Sequence, residues 1–270
     1  MDLSEIEARG LVLLGCGKMG QAMLQGWLGA ALPPEAVFVM EPTPSDWLRG
    51  TGVHLNEDLP SDPAIVIVAV KPQMIGEALP ALQSLGGGTT VFLSIAAGTT
   101  LATFERVLGS DTPIIRAMPN TPAAIGRGIT ALFGNALATE ADMALAEVLL
   151  SVVGQTVRVE AEGDMDAVTS VSGSGPAYVF HLIETLAAAG AAEGLSPDLA
   201  MRLAKATVAG AGALAETSDE TPTQLRINVT SPAGTTAAAL EVLMNETHGF
   251  PALVPRAVKA AADRSRELGQ

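Results

Sequence analysis

The feature that most narrows the fold of this chain is a series of short, almost wholly apolar runs. The first, Leu11-Val12-Leu13-Leu14, opens directly into Gly15-Cys16-Gly17-Lys18-Met19-Gly20 and then into the helical sequence QAMLQGWL. Four more follow at crossover spacing: VFVM at 37–40, IVIVAV at 65–70, VFLSI at 91–95 and IIRAM at 114–118. A strand that is apolar at every position has both faces buried, as in a parallel sheet covered by helices on each side. The expected fold is therefore an α/β Rossmann-like doubly wound parallel sheet. ITALF at 129–133, a helix over 140–153 and a last strand TVRV at 156–159 complete it.

Beyond Glu160 the pattern changes to long Ala- and Leu-rich stretches, roughly 175–193, 197–216, 234–245 and 251–268, with helical periodicity and no further strand. Two domains are expected: a dinucleotide-binding domain over 1–160 and an all-helical domain over 161–270. Segments such as AYVFHLIETLAAAGAA are apolar on more than one face. A domain of about a hundred residues cannot bury that much alone, so the helical half is expected to pack against another subunit.

The strand, glycine turn and helix are the context in which G-x-G-x-x-G binds a dinucleotide. Gly15 permits the tight turn, Gly17 lets the backbone approach a pyrophosphate, and Gly20 lets helix and strand pack closely. Glu41 closes the second strand about twenty residues on, where an acid accepts hydrogen bonds from the adenosine ribose and repels a 2′-phosphate. Alone, Glu41 argues for NADH over NADPH. The loops Ala69-Val70-Lys71-Pro72-Gln73 and Ser94-Ile95-Ala96-Ala97-Gly98 follow the third and fourth strands, at the edge where open α/β sheets bind ligands. Lys71, leaving a strand before proline, reads as a cofactor-side or solvated residue.

Composition excludes several classes. With 29 acidic against 15 basic side chains the net charge is -14, which repels a phosphate backbone, so no nucleic-acid partner is expected. No apolar run is long enough to span a bilayer, and the residues after Met1 carry no secretory pattern. The single cysteine, Cys16, cannot form an internal disulfide and suits a reducing cytoplasm. His54, His181 and His248 stand far apart, and no metal site is expected.

In the helical half, Ser231-Pro232-Ala233-Gly234-Thr235-Thr236 places a hydroxyl-rich turn at the start of an apolar helix. The first N–H groups of a helix lack intrahelical partners and lie at the positive end of its dipole, a seat for a carboxylate or phosphate.

Two further blocks, Arg116-Ala117-Met118-Pro119-Asn120-Thr121-Pro122-Ala123 and Ser172-Gly173-Ser174-Gly175-Pro176-Ala177-Tyr178, join GCGKMG, AVKPQ, SIAAG and SPAGTT in an order and spacing that resembles the pyrroline-5-carboxylate reductases from about Gly10 to Leu268. The resemblance implies hydride transfer from NADPH or NADH to the C=N bond of 1-pyrroline-5-carboxylate, giving L-proline. By the same resemblance the backbone from Gly15 to Gly20 (Cys16, Lys18 and Met19 included), with Asn56, Ala69, Val70, Lys71, Pro72, Ala96, Ala97, Gly98 and Asn228, contacts the cofactor. Glu162, Ser231, Gly234, Thr235 and Thr236 hold the substrate. Thr236 is the choice for a hydrogen bond to the ring nitrogen. A homodimer through the helical domain, in many members of the family built up into a decamer, is implied as well. One departure is Ala233, where the family usually has glycine; a methyl there is expected to narrow the turn or to exclude φ > 0. The β-hydroxyacid dehydrogenases resemble this architecture but use a lysine on the first interdomain helix. Here PAYVFHLIETLAAAGAAEG has none, and the first lysine after it is Lys205.

Overall fold

Alternate residues of the central strands enter different cores, which is why the runs are apolar at nearly every position. In the computed structural model, which describes residues 3–269, Leu11 and Leu13 of β1 (Leu11–Leu14) join one buried cluster while Val12 and Leu14 join another. Ile65 and Ile67 of β4 (Ile65–Val68) part from Val66 and Val68 in the same way. Successive strand side chains point to opposite faces, so a sheet between two helical layers takes an apolar residue at every position.

The remaining strands are β2 (Val37–Met40), β3 (His54–Leu55), β5 (Val91–Ser94), β6 (Ile114–Met118), β7 (Gly128–Gly134) and β8 (Gly154–Arg158), in the order β3-β2-β1-β4-β5-β6-β7-β8. From β3 to β6 all neighbours are parallel, with Leu11 opposite both Val37 and Ile65. β7 runs antiparallel to β6, and β8 is parallel to β7, so the parallel arrangement reverses at its last two strands. Residues 119–127 hold only a short 3-10 turn (Thr121–Ile125), too little chain for the crossover a parallel neighbour requires.

The described chain divides into two compact units, one running to Gly173 and resuming at Ala262, the other Ser174–Ala261. The first carries α1 (Ser4–Arg9), α2 (Lys18–Gly29), α3 (Asp46–Arg49), α4 (Ile75–Ala78), α5 (Leu101–Leu108), α6 (Glu140–Leu150) and α7 (Asp164–Val168). It therefore extends past the boundary expected at 160. Met165 of α7 is buried, and the Asp166 carboxylate accepts a 2.6 Å hydrogen bond from Ser265 near the C-terminus. Trp27 anchors α2: its indole is fully buried and donates to the Leu149 carbonyl at 2.8 Å.

The second unit holds α8 (Gly175–Ala192), α9 (Pro197–Thr217), α10 (Pro222–Asn228), α11 (Thr235–Leu243) and most of α12 (Phe250–Leu268). Prolines at first-turn positions with hydroxyl caps start α9 and α10: Ser196 accepts from Leu199 N–H and Thr221 from Gln224 N–H. Its own core is small, Ala187, Ala200 and Ala204 with Ile183, Ala191 and Met201 around them. Phe180, Leu214 and Val242 stay exposed at 57%, 54% and 64%. No described helix is long and apolar enough to cross a membrane.

Trp27→Phe keeps most of the buried ring but orphans the Leu149 carbonyl. The expected loss is about 1–3 kcal/mol, read as a lower urea midpoint at unchanged slope; a midpoint equal to the wild type would show that the indole bond contributes nothing.

Candidate functional site

The glycine turn is built by close packing against the backbone on both sides. Gly15 has φ 89, and a Cβ there would lie 2.8 Å from Val70 Cγ1 and 3.0 Å from the Ala69 carbonyl oxygen. At Gly20 a Cβ would stand 2.5 Å from the Gly15 carbonyl oxygen, so α2 meets the turn at a distance that only glycine allows. Gly17 differs: it caps α2 without a side-chain hydrogen bond, and a Cβ on it would meet nothing within 4 Å. The first N–H groups of α2 thus open onto free space beside the glycine whose backbone faces it. This fits a bound pyrophosphate.

A cavity of about 540 Å³ continues from that turn. Gly17, Lys18 and Met19 form one side, Ala69 to Pro72 another, and Ile95, Ala96, Ala97, Met118 and Pro119 the rest. Of the loop residues expected at the cofactor, Ala69 to Pro72, Ala96 and Ala97 therefore gather at one sheet edge. Gly98 lines a neighbouring cavity of about 350 Å³ instead, where its Cα packs under Leu268. Met118 and Pro119 belong to a motif visible in the sequence, but nothing in the residues themselves assigned them to a cofactor wall.

Glu41 and Asn56 form one device. The Asn56 amide pairs with the Glu41 backbone in both directions, accepting from Glu41 N–H at 2.8 Å and donating to the Glu41 carbonyl at 2.9 Å. Asn56 itself sits at φ 55, a conformation asparagine tolerates better than most residues. The Glu41 carboxylate accepts from Cys16 N–H at 2.8 Å and from Thr43 N–H at 3.0 Å. Asn56 thus holds the acid, and the acid holds the glycine turn.

Arg116, 9% exposed inside the apolar run of β6, donates from Nη1 to Glu162 Oε1 at 2.6 Å, and the same oxygen accepts from Leu101 N–H at 2.8 Å. Glu162 is thereby engaged at the start of α5 and on Arg116. The clue to Arg116 was in the sequence, since a cation amid four apolar neighbours requires a buried partner. Asn120 joins two motifs: it accepts from Ile129 N–H at 3.0 Å and donates to the Ser172 carbonyl at 3.1 Å. Ser172 lies in a π-helical turn, Thr169–Gly173, that runs into α8.

In the helical unit, Gly234 N–H donates to the Ser231 carbonyl at 3.1 Å and Gly234 caps α11 without a side-chain bond. A Cβ on Gly234 would collide with Ser231 Oγ. Ala233 adopts φ 54. The expectation that its methyl excludes a positive φ is thus corrected; alanine takes the left-handed conformation at a cost of about 1 kcal/mol or more. The hydroxyls of Ser231, Thr235 and Thr236 have no hydrogen-bond partner among the described residues, and Thr236 is half-buried. Asn228 ends α10 with its amide fully engaged, accepting from Gln224 at 2.7 Å and donating to Glu220 at 2.9 Å.

A parallel sheet with an open glycine turn and a cavity at the carboxyl ends of its strands, followed by a helical unit, defines a dinucleotide-binding protein of the Rossmann class. A model described as pyrroline-5-carboxylate reductase dimerisation matches residues 162–268, and one described as NADP oxidoreductase, coenzyme F420-dependent, matches 11–98. The chain is 40% identical to a pyrroline-5-carboxylate reductase of Synechocystis over 96% of this chain and 98% of that one. It is 36% identical to one from Pseudomonas aeruginosa over 96% and 97%. The solved structure of a pyrroline-5-carboxylate reductase from Coxiella burnetii superposes with a TM-score of 0.91 at 32% identity, covering 97% of this chain and 99% of the other. One from Plasmodium falciparum with NADP bound gives 0.83 at 30%, covering 98% and 99%. The chain belongs to the pyrroline-5-carboxylate reductase family.

Cys16 offers a pH test of the turn. Burial first, and then the charge of Glu41, raise its thiol pKa from 9.0 to about 11. A folded value above the unfolded one gives stability that is whole below about pH 9 and lost as the pH climbs through 11. Relative to Cys16→Ala, the wild type should lose on the order of 1 kcal/mol over that window, once solvent screening of a half-buried thiol is allowed for. Parallel denaturation curves at pH 8 and pH 11 for the two proteins would contradict this.

Proposed function

We propose that the protein reduces the C=N bond of 1-pyrroline-5-carboxylate with NADPH or NADH, forming L-proline in the last step of proline synthesis. The observation that carries this reading is full-length similarity to reductases of that name, together with two open helix N-termini, one in each unit. The first, at α2, would take the pyrophosphate, with Ala69 to Pro72 and Ala96 beside the nicotinamide half. The second, at α11, would take the ring carboxylate.

The dinucleotide supplies the hydride. A protonated imine is already electrophilic, so the chain's main task is alignment rather than strong acid catalysis. Ser231 and Thr235, with the N–H groups after Gly234, would fix the carboxylate and so the ring face presented to the hydride. The Thr236 hydroxyl would hydrogen-bond the ring nitrogen, which keeps its proton while the hydride forms the new C–H bond, the C=N π pair becomes its lone pair and its positive charge is neutralised. An unperturbed hydroxyl is a poor proton source, so Thr236 stabilises charge and does not act as a strong acid. Glu162, tied to Arg116 and Leu101, would serve by fixing the start of α5 after the 96–98 loop.

The helical region from 161 onward is read as the substrate-binding and dimerising domain. Its exposed apolar helix faces are surface that a second copy of the chain would cover, and the matched dimerisation model supports a homodimer. A decamer is the larger assembly consistent with the resemblance. The single cysteine, which suits a reducing compartment, supports a cytoplasmic location.

Oxidation of the nicotinamide band on mixing protein, reduced cofactor and pyrroline-5-carboxylate tests the activity; no turnover with any small cyclic imine would favour a nucleotide sensor instead. Thr236→Ala should lower kcat about tenfold or more while cofactor Kd changes less than about twofold. An unchanged kcat would remove Thr236 from the reacting centre.

A further inference from the structure

We infer that Glu41 makes this protein selective for NADH over NADPH. The inference rests on the reading that the first unit holds a nicotinamide dinucleotide at the glycine turn.

Residue 41 follows β2, at the place where this class of fold meets the adenosine ribose. What the structure adds is that the acid is not free to leave. Two backbone N–H groups, those of Cys16 and Thr43, hold its oxygens at 2.8 and 3.0 Å, and Thr43 Oγ1 stands 3.4 Å from one of them. The reciprocal Asn56 pair fixes its backbone. An exposed glutamate on a loose loop could swing aside to admit a 2′-phosphate. This one would break charge-assisted hydrogen bonds to do so, and one of them belongs to the glycine turn itself.

The turn that follows offers a 2′-phosphate no counter-charge. Pro42, Thr43, Pro44, Ser45 and Asp46 carry no cation, and Asp46 adds a second acid. The Ser45 hydroxyl accepts from Leu48 N–H at 3.2 Å to start α3 and has only a neutral O–H left to donate. The next cation along the chain, Arg49, ends that helix. Lys18 and Lys71 belong to the cavity lining and not to this turn. A dianionic 2′-phosphate would therefore meet a fixed carboxylate followed by a turn that supplies no cation, whereas ribose hydroxyls could donate to the same oxygens. The Plasmodium falciparum relative was solved with NADP bound, so the selectivity is assigned to residues of this chain and not to the family.

The test is equilibrium binding of NADH and NADPH, each followed by nicotinamide fluorescence, to the wild type, Glu41→Gln and Glu41→Ser. The wild type should bind NADH about tenfold or more tightly than NADPH. Both substitutions should narrow that ratio about fivefold or more, with NADPH gaining while NADH weakens. Equal wild-type affinities would overturn the inference without any variant having to fold. A ratio unchanged in variants that melt like the wild type would overturn it too and leave Glu41 as a brace of the glycine turn. Binding of neither cofactor would be a different failure, overturning the dinucleotide site along with the selectivity.

Discussion

The close approach of Gly20 to the Gly15 carbonyl is the contact on which the rest of the first unit depends. It brings α2 directly against the end of β1, while Trp27, farther along the same helix, is buried and bonded to the Leu149 carbonyl. Fixed at both ends, α2 can only present its first N–H groups at the carboxyl edge of the sheet. The Ala69 backbone and the Val70 side chain close over Gly15 just after β4, so the cavity wall and the turn are one packed object. A substitution that loosens the core beneath the helix should therefore also disturb the place where a ligand would bind.

A second thread is how this acidic chain handles anions. With a net charge of -14 it has few cations to spare, and at the candidate site its fixed carboxylates lean on backbone N–H groups. Glu41 takes those of Cys16 and Thr43; Glu162 takes that of Leu101 and shares the buried Arg116. The starts of α2 and α11 keep theirs free of side-chain caps. Backbone donors cannot swing away or be neutralised, so charge recognition here is a property of the fold and not of mobile side chains.

The sheet was legible in the sequence because its strands are buried on both faces, and a continuous apolar run leaves little else to be. The reversal at β7 was not, since ITALF looks the same in either direction and only the short link after Met118 decides it. Two-residue β3 is too brief to show a period. The π-helical turn at Thr169–Gly173 and the return of the C-terminal residues to the first unit depend on contacts between distant segments, such as Asn120 with Ser172 and Ser265 with Asp166. At the candidate site the glycine turn and Glu41 could be read from residue type and spacing. The Asn56 clamp and the Arg116–Glu162 pair could not, because their partners lie 15 and 46 positions away.

The central claim is that the open face of Gly17 exists to receive a pyrophosphate, and Gly17→Ala tests it most directly. The backbone there, φ -68 and ψ -165, suits any residue, and the added methyl would touch nothing in the protein. The variant should melt like the wild type yet bind reduced dinucleotide about tenfold or more weakly, because the methyl would occupy the ligand's approach. An equally stable variant with undiminished dinucleotide affinity would show that the ligand binds elsewhere.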